Sequence, residues 1–362
     1  MNIKKIGLTA LATSLVASSA YAADVSVSGA AGMVFKTQAG NGGNTTDHGK
    51  GLGTDNSLSF SASGELDNGW SVSAGTALTD AFALSSNSVT ITMGSMGSIS
   101  TGFSTGGNAG NYDGLGGAYE EVDDGGTSSL STNLIGSTVD NAGLFYTSPA
   151  IDAGGASITL HLGYTPRATN ANLAGGSASG TSGYGSAQNA GVTISHDSGL
   201  KLGVYANEIA TSATGTATED AFEGTWYATY SMGPIAIGYQ QSYVNRGLKT
   251  AAEGANTAKT VAAAGGQFEA DQYSITMNIN DDLSISYAKA DDTYDARAGA
   301  ASTVTTGGGA VADVTMSMTS IQAAYSMGSM SIKAYRTKTD NAAYNNGGGS
   351  TQRNEIALGL SF

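Results

Sequence analysis

Five carboxylates crowd into a dozen residues of this chain: Asp113, Glu120, Glu121, Asp123 and Asp124, in a stretch without a lysine or arginine. Acids held beside a water-filled passage draw cations and repel anions. Their hard oxygens are also what calcium takes, although the spacing is not that of an EF-hand loop. The same run suits a solvated external loop, which is the commoner use of an acidic stretch. Other site chemistry is sparse. With no cysteine, thiolate metal sites and Cys nucleophiles are excluded, and the three histidines, His48, His161 and His196, fall in neither a zinc nor a triad spacing. No cofactor is implied beyond possible calcium at the acidic run. A net charge of −14 also disfavours nucleic acid as a partner.

The elements that carry these residues are strands. Charged residues make up 12% of the chain, where a soluble domain carries about 25%, and 53 glycines stand beside only 3 prolines. Residues 1–22 read as a secretory signal peptide: Lys4 and Lys5, an apolar run from Ile6 to Val16, and the small-residue exit Ala20-Tyr21-Ala22. Residues 23–362 form the mature domain. No later stretch reaches the roughly 18 apolar residues of a membrane helix. From Val25 onward apolar residues recur with period two. Val25, Val27, Gly29, Ala31, Met33 and Phe35 share one face; Leu58, Phe60, Ala62, Gly64 and Leu66 share the next; Trp70, Val72, Ala74, Thr76 and Leu78 follow after the turn Asp67-Asn68-Gly69. Each run is about ten residues, the length at which a tilted strand crosses a bilayer.

Short and long breaks alternate. Seven are tight turns rich in Asn, Asp and Gly, near residues 67, 94, 152, 197, 231, 280 and 326. Eight are long polar loops, near Thr37 to Asn56, Asp80 to Asn87, Ser104 to Thr138, Arg167 to Asn189, Ile209 to Asp220, Val244 to Gln267, Asp291 to Asp313 and Lys338 to Gln352. Fifteen connections join sixteen strands. This predicts an all-β, transmembrane antiparallel barrel with short periplasmic turns and long external loops. A β-sandwich would want shorter strands without that alternation. The final residues alternate as far as Phe362, so the last strand is expected to pair with the first and remove both edges.

The terminal Phe362 strand and the segment Met93-Gly94-Ser95-Met96-Gly97-Ser98-Ile99-Ser100-Thr101-Gly102-Phe103 carry a resemblance. The chain resembles the sixteen-stranded general diffusion porins of Gram-negative bacteria, nearest to the glycine-rich alphaproteobacterial type, with Phe103 where many members have arginine. The resemblance implies a homotrimer in the cell outer membrane, in contact with membrane lipid and lipopolysaccharide, passing small hydrophilic solutes and ions without catalysis. It also implies that the loop 104–138 folds into the lumen as the constriction. The five acids would then line that constriction and favour cations.

Strand parity selects the basic residues that would face them: Lys36, His161, Lys201, Lys333 and Arg353 take inward positions. No lysine or arginine lies between Lys50 and Arg167, so the early strands offer no basic wall. Outward small residues at Gly29, Ala31, Ala62, Gly64 and Ala74 suggest a subunit contact. Tyr146, Tyr205, Tyr243 and Tyr335, near strand ends, suggest an aromatic girdle. Two other functions fit less well. A solute-specific channel would want aromatics at the constriction, where Tyr112 and Tyr119 stand. An outer-membrane hydrolase would want a histidine within reach of Ser or Asp.

Overall fold

The computed structural model describes residues 24–40, 49–80, 83–105, 107–113, 115–126, 130, 143–166, 184–211, 220–245, 267–295, 314–344 and 349–362. The leader expected at residues 1–22 lies outside them. Sixteen antiparallel strands close into a barrel: β1 (Asp24–Gly40), β2 (Gly49–Glu65), β3 (Ser71–Leu78), β4 (Leu84–Thr92), β5 (Ser98–Phe103), β6 in two pieces (Leu144–Thr147 and Ile151–Asp152), β7 (Ala156–Thr165), β8 (Tyr184–His196), β9 (Leu200–Thr211), β10 (Ala221–Met232), β11 (Ile235–Asn245), β12 (Gln267–Asn278), β13 (Leu283–Asp295), β14 (Val314–Met327), β15 (Met330–Asp340) and β16 (Ser350–Ser361). Each strand pairs with its neighbours in sequence, and β16 returns to β1, with Lys36 opposite Glu355 and Ala30 opposite Ser361. The seam ends in a reciprocal pair: Gly29 N donates to Phe362 O at 2.9 Å and Phe362 N to Gly29 O at 3.0 Å.

The tight turns fall where the sequence puts them. Gly155 and Gly199 hold φ values of +92° and +91°, a conformation an L side chain rarely adopts. Strand lengths differ from the ten residues expected. β1 and β2 run 17 residues each, so most of the segment 37–56 is paired strand rather than loop. Thr37 pairs with Lys50 and Gln38 with Gly49. The cause is that outward positions turn polar above the apolar belt: alternation stops while backbone pairing continues. For the same reason β8 is already under way at Tyr184 and β13 persists to Asp295. β6 is broken at Pro149, which has no N–H for the ladder; Ser148 Oγ substitutes as acceptor for Leu160 N at 2.9 Å.

Outward positions carry exposed aliphatic side chains all round, among them Leu162, Ile237, Ile321 and Ile356, an apolar band of the kind that suits a bilayer. Trp226, Tyr239 and Tyr273 tile one stretch of its edge, with ring centroids 5.1 Å apart. Two of the tyrosines expected in a girdle point the other way. Tyr205 and Tyr335 share the inward parity of Lys201 and Lys333 and are buried inside the barrel. Inside, an apolar core departs from the polar lumen of a simple barrel: Phe268, Met316, Met318 and Tyr344 pack with Ala109, Tyr112, Val122 and Leu130 of the loop after β5.

The belt has a testable edge. Ile285→Arg, at an outward position on β13 between Met277 and Ala323, is expected to cost about 2–4 kcal/mol, and Thr319→Arg, between the outward Lys289 and Lys338, about 0–1 kcal/mol. Denaturant titration of the barrel folded into lipid vesicles reads the difference.

Candidate functional site

The loop that follows β5 enters the lumen, and backbone N–H groups taken from water there need acceptors. Gly117 N donates to Glu120 O at 3.0 Å and closes a tight turn, flanked by an antiparallel bridge between Gly116 and Glu121. Inward side chains of the wall hold that turn. Ser286 Oγ on β13 accepts from Ala118 N at 2.8 Å, and Gln322 Oε1 on β14 accepts from both Tyr119 N and Glu120 N at 2.9 Å. Gln322 is itself oriented by Ser320 Oγ, which accepts from its Nε2 at 3.1 Å. A Cβ on Gly117 would lie 2.6 Å from the backbone oxygen of Glu120 and 2.2 Å from Gln322 Oε1, so a side chain there would require the turn to shift.

Aromatic contacts fix the two ends of this path. Tyr112 stacks on Tyr205 of β9 with centroids 4.9 Å apart, and its hydroxyl lies 2.6 Å from His161 Nδ1 on β7. It fits because Gly191 on β8 leaves room; a Cβ there would meet the Tyr112 hydroxyl at 2.2 Å. Tyr119 donates to Glu355 Oε1 on β16 at 2.6 Å, and Tyr335 on β15 donates to Glu355 Oε2 at 2.8 Å.

The five acids divide into an exposed and an enclosed group. Asp124 is exposed and Glu120 is half-buried at the turn. Asp113 and Glu121 share a hydrogen bond. Asp123 is buried, with Leu130 N donating to its Oδ2 at 3.4 Å. Burial, followed by mutual repulsion, pushes Glu121 up to about 8 and Asp123 up to about 6. Burial also raises Asp113 and Glu120 above the usual carboxylate range. Among the described residues no group of three or more His, Asp or Glu side chains is arranged to hold a metal ion.

The five basic-wall residues separate in space. Lys36 Nζ bonds Glu355 Oε2 at 2.8 Å. Lys333 Nζ sits 5.0 Å from the centroid of the Tyr119 ring. Arg353 donates through Nε and Nη2 to Gln38 Oε1 at 3.3 and 3.2 Å. These three lie on adjacent strands β15, β16 and β1, with Lys333 and Lys36 near enough to act on Glu120. Lys201 lies at the short-turn end of β9, opposite Ser195 and Thr229 and away from the acids. His161 faces inward but is covered by Tyr112. His196 Nδ1 is 2.9 Å from Ser198 Oγ, within a single exposed hairpin turn.

Sequence reasoning missed Gln322, Glu355 and Asp55. Glu355 and Gln322 were accessible through parity, since Glu355 alternates with Ile356 and Leu358. Asp55 was hidden by its assignment to a loop; it lies on β2 opposite Gly32 and faces the lumen.

No protein-family model matches the sequence, and no curated protein does. Solved structures match its fold along nearly the whole chain. A porin refined at 1.8 Å resolution superposes with TM-score 0.60 at 16% identity, covering 94% of this chain and 100% of its own. The anion-selective porin from Comamonas acidovorans gives 0.61 at 14% identity, covering 94% and 100%. OmpF of Salmonella typhi in complex with daunomycin gives 0.63 at 10% identity, covering 93% and 97%. At these identities the likeness carries the fold, not the selectivity.

Gln322→Leu removes the shared acceptor of two lumenal N–H groups, at a cost of about 1–3 kcal/mol for each one left unpaired. Amide hydrogen exchange at Tyr119 and Glu120 is expected to accelerate by one or more orders of magnitude while exchange in β1 and β16 stays unchanged.

Proposed function

We propose that this chain is an outer-membrane porin: a homotrimeric, water-filled channel for passive diffusion of small hydrophilic solutes and ions, preferring cations. The observation that carries it is the loop folded against the inner wall of a closed sixteen-stranded barrel, with Glu120 and Asp124 open to the lumen and its turn tied to Gln322, Ser286 and Glu355. The outward aliphatic belt supports contact with membrane lipid and lipopolysaccharide. A subunit contact is supported by the small outward residues Gly29, Ala31, Ala62, Gly64 and Ala74, with Ala62 directly opposite Ala74. A hydrolase reading finds no support in the two histidines among the described residues, since His161 is engaged by Tyr112 and His196 belongs to its own turn.

Cation preference follows from a loop with five acids and no base, opposed by bases on only one stretch of wall. The purified protein in a planar bilayer is expected to open in steps and to give a cation-side reversal potential under a KCl gradient. Absence of steps, or firm anion preference, refutes the reading.

The raised carboxyl groups add a pH dependence whose sign is set. The packed loop favours their protonated forms, so its packing is firmest at low pH and loosens as pH rises through about 6 for Asp123 and about 8 for Glu121. Each deprotonation adds negative charge beside the passage. Cation selectivity is therefore expected to increase between pH 5 and pH 9, and Glu121→Gln is expected to abolish the upper step. The calcium expected at the acidic run finds no support, since among the described residues no three acidic side chains are arranged to hold an ion.

A further inference from the structure

The wall beside the packed core has an unusual floor. On β1, β2 and β16 the inward positions Gly32, Val34, Gly51, Gly53, Ala357 and Gly359 are nearly bare of side chains. They lie in register: Lys333 is opposite Ala357, Ala357 opposite Val34 and Val34 opposite Gly53, while one inward step nearer the short turns Gly359 is opposite Gly32 and Gly32 opposite Asp55. The result is a trough running across the strands, closed at one side by Lys333 on β15 and at the other by Asp55 on β2. Tyr119 and Glu120 of the loop overhang it. Two cavities meet there, of about 490 Å³ and 250 Å³, and Tyr119 and Asp55 line both.

Part of the charge around this trough lies outside any ion pair among the described residues. Glu355 is satisfied by Lys36 and by the hydroxyls of Tyr119 and Tyr335. Lys333 meets the Tyr119 ring, and among the described residues no salt bridge includes Lys333, Asp55 or Glu120. A cation on one wall thus faces a carboxylate on the other across a smooth floor. Three strand spacings and the two-residue offset along the strands put their Cα atoms about 16 Å apart. The reach of the two side chains reduces this to a gap that an α-amino acid spans with one charged hydrogen bond at each end.

We propose that this trough is a binding site for small zwitterionic solutes of the α-amino acid class, with the solute carboxylate on Lys333 and its ammonium on Asp55, beside Glu120. The assignment rests on the pore reading and adds a substrate class to it. A neutral solute of the same size gains neither contact, and a simple anion or cation gains one while meeting the like charge opposite. The floor must stay bare for the solute to lie across it, which explains glycine at alternate positions 49, 51 and 53 of a strand whose inward face opens on water.

Uptake into proteoliposomes of the full chain tests this with labelled alanine as the zwitterion and labelled lactamide as its neutral counterpart, alongside bilayer conductance in KCl. Alanine uptake is expected to saturate with concentration while lactamide uptake stays linear. Asp55→Asn and Lys333→Met are each expected to raise the half-saturating alanine concentration about tenfold or more, the loss of one charged contact. Gly53→Val, whose added side chain enters open space, is expected to do the same by filling the floor, and provides an independent route should a charge variant fail to fold. Linear alanine uptake through a conducting wild-type channel overturns the trough and leaves the pore standing. Saturation untouched by all three variants overturns it as well, by placing the site elsewhere. A reconstituted protein with no conductance refutes the pore reading itself.

Discussion

A sheet that faces lipid cannot leave a backbone N–H or C=O without a partner, because hydrocarbon offers none and each orphan costs several kcal/mol. The pairing of β16 with β1 meets that requirement, and the rest of the molecule depends on it. Closure removes both edges, and pleating then gives each strand one face toward lipid and one toward the lumen. The low content of charged residues has its cause here. Half of every strand faces a medium in which charge is costly, so acids and bases collect on loops and inward positions.

The same accounting governs the loop that enters the barrel. Its N–H groups leave bulk water, and side chains from the wall become their acceptors: Ser286 for Ala118, and the single oxygen of Gln322 for Tyr119 and Glu120. Apolar wall residues such as Met316, Met318 and Phe268 then bury against Val122 and Leu130, supplying the packing that hydrogen bonds of about 1 kcal/mol net would not. The loop thereby covers the inner wall at β12, β13 and β14. Water is left with the side bounded by β1, β2, β15 and β16, where Lys36, Lys333, Arg353 and Asp55 lie.

This arrangement changes the meaning of the acidic run. Five carboxylates in a dozen residues suggest a ring of five charges, yet burial moves Asp113, Glu120, Glu121 and Asp123 toward neutrality, while Asp124 is exposed. Burial disfavours the charged form of a carboxyl group, and crowding compounds the effect. Charge counted along the chain and charge presented to a passing ion are different quantities.

The sequence by itself determined the barrel. Period-two alternation, the seven tight turns and a last strand patterned as far as Phe362 are local features, and in a closed meander each strand pairs with its neighbours in the chain, so local order dictates global topology. Parity likewise sufficed to turn Lys36, Lys333 and Arg353 inward. Where alternation fades the text misled: Asp55 and the upper ends of β1 and β2 read as loop because neither face is apolar there, although their backbones remain paired. What only the tertiary structure decided is which inward residues meet the loop and which meet water. Tyr112 on His161, Tyr119 on Glu355 and Gln322 beneath the turn are contacts across 49 to 236 residues of chain. Such contacts depend on where a glycine-rich segment comes to rest inside a cavity, and no periodicity encodes that position.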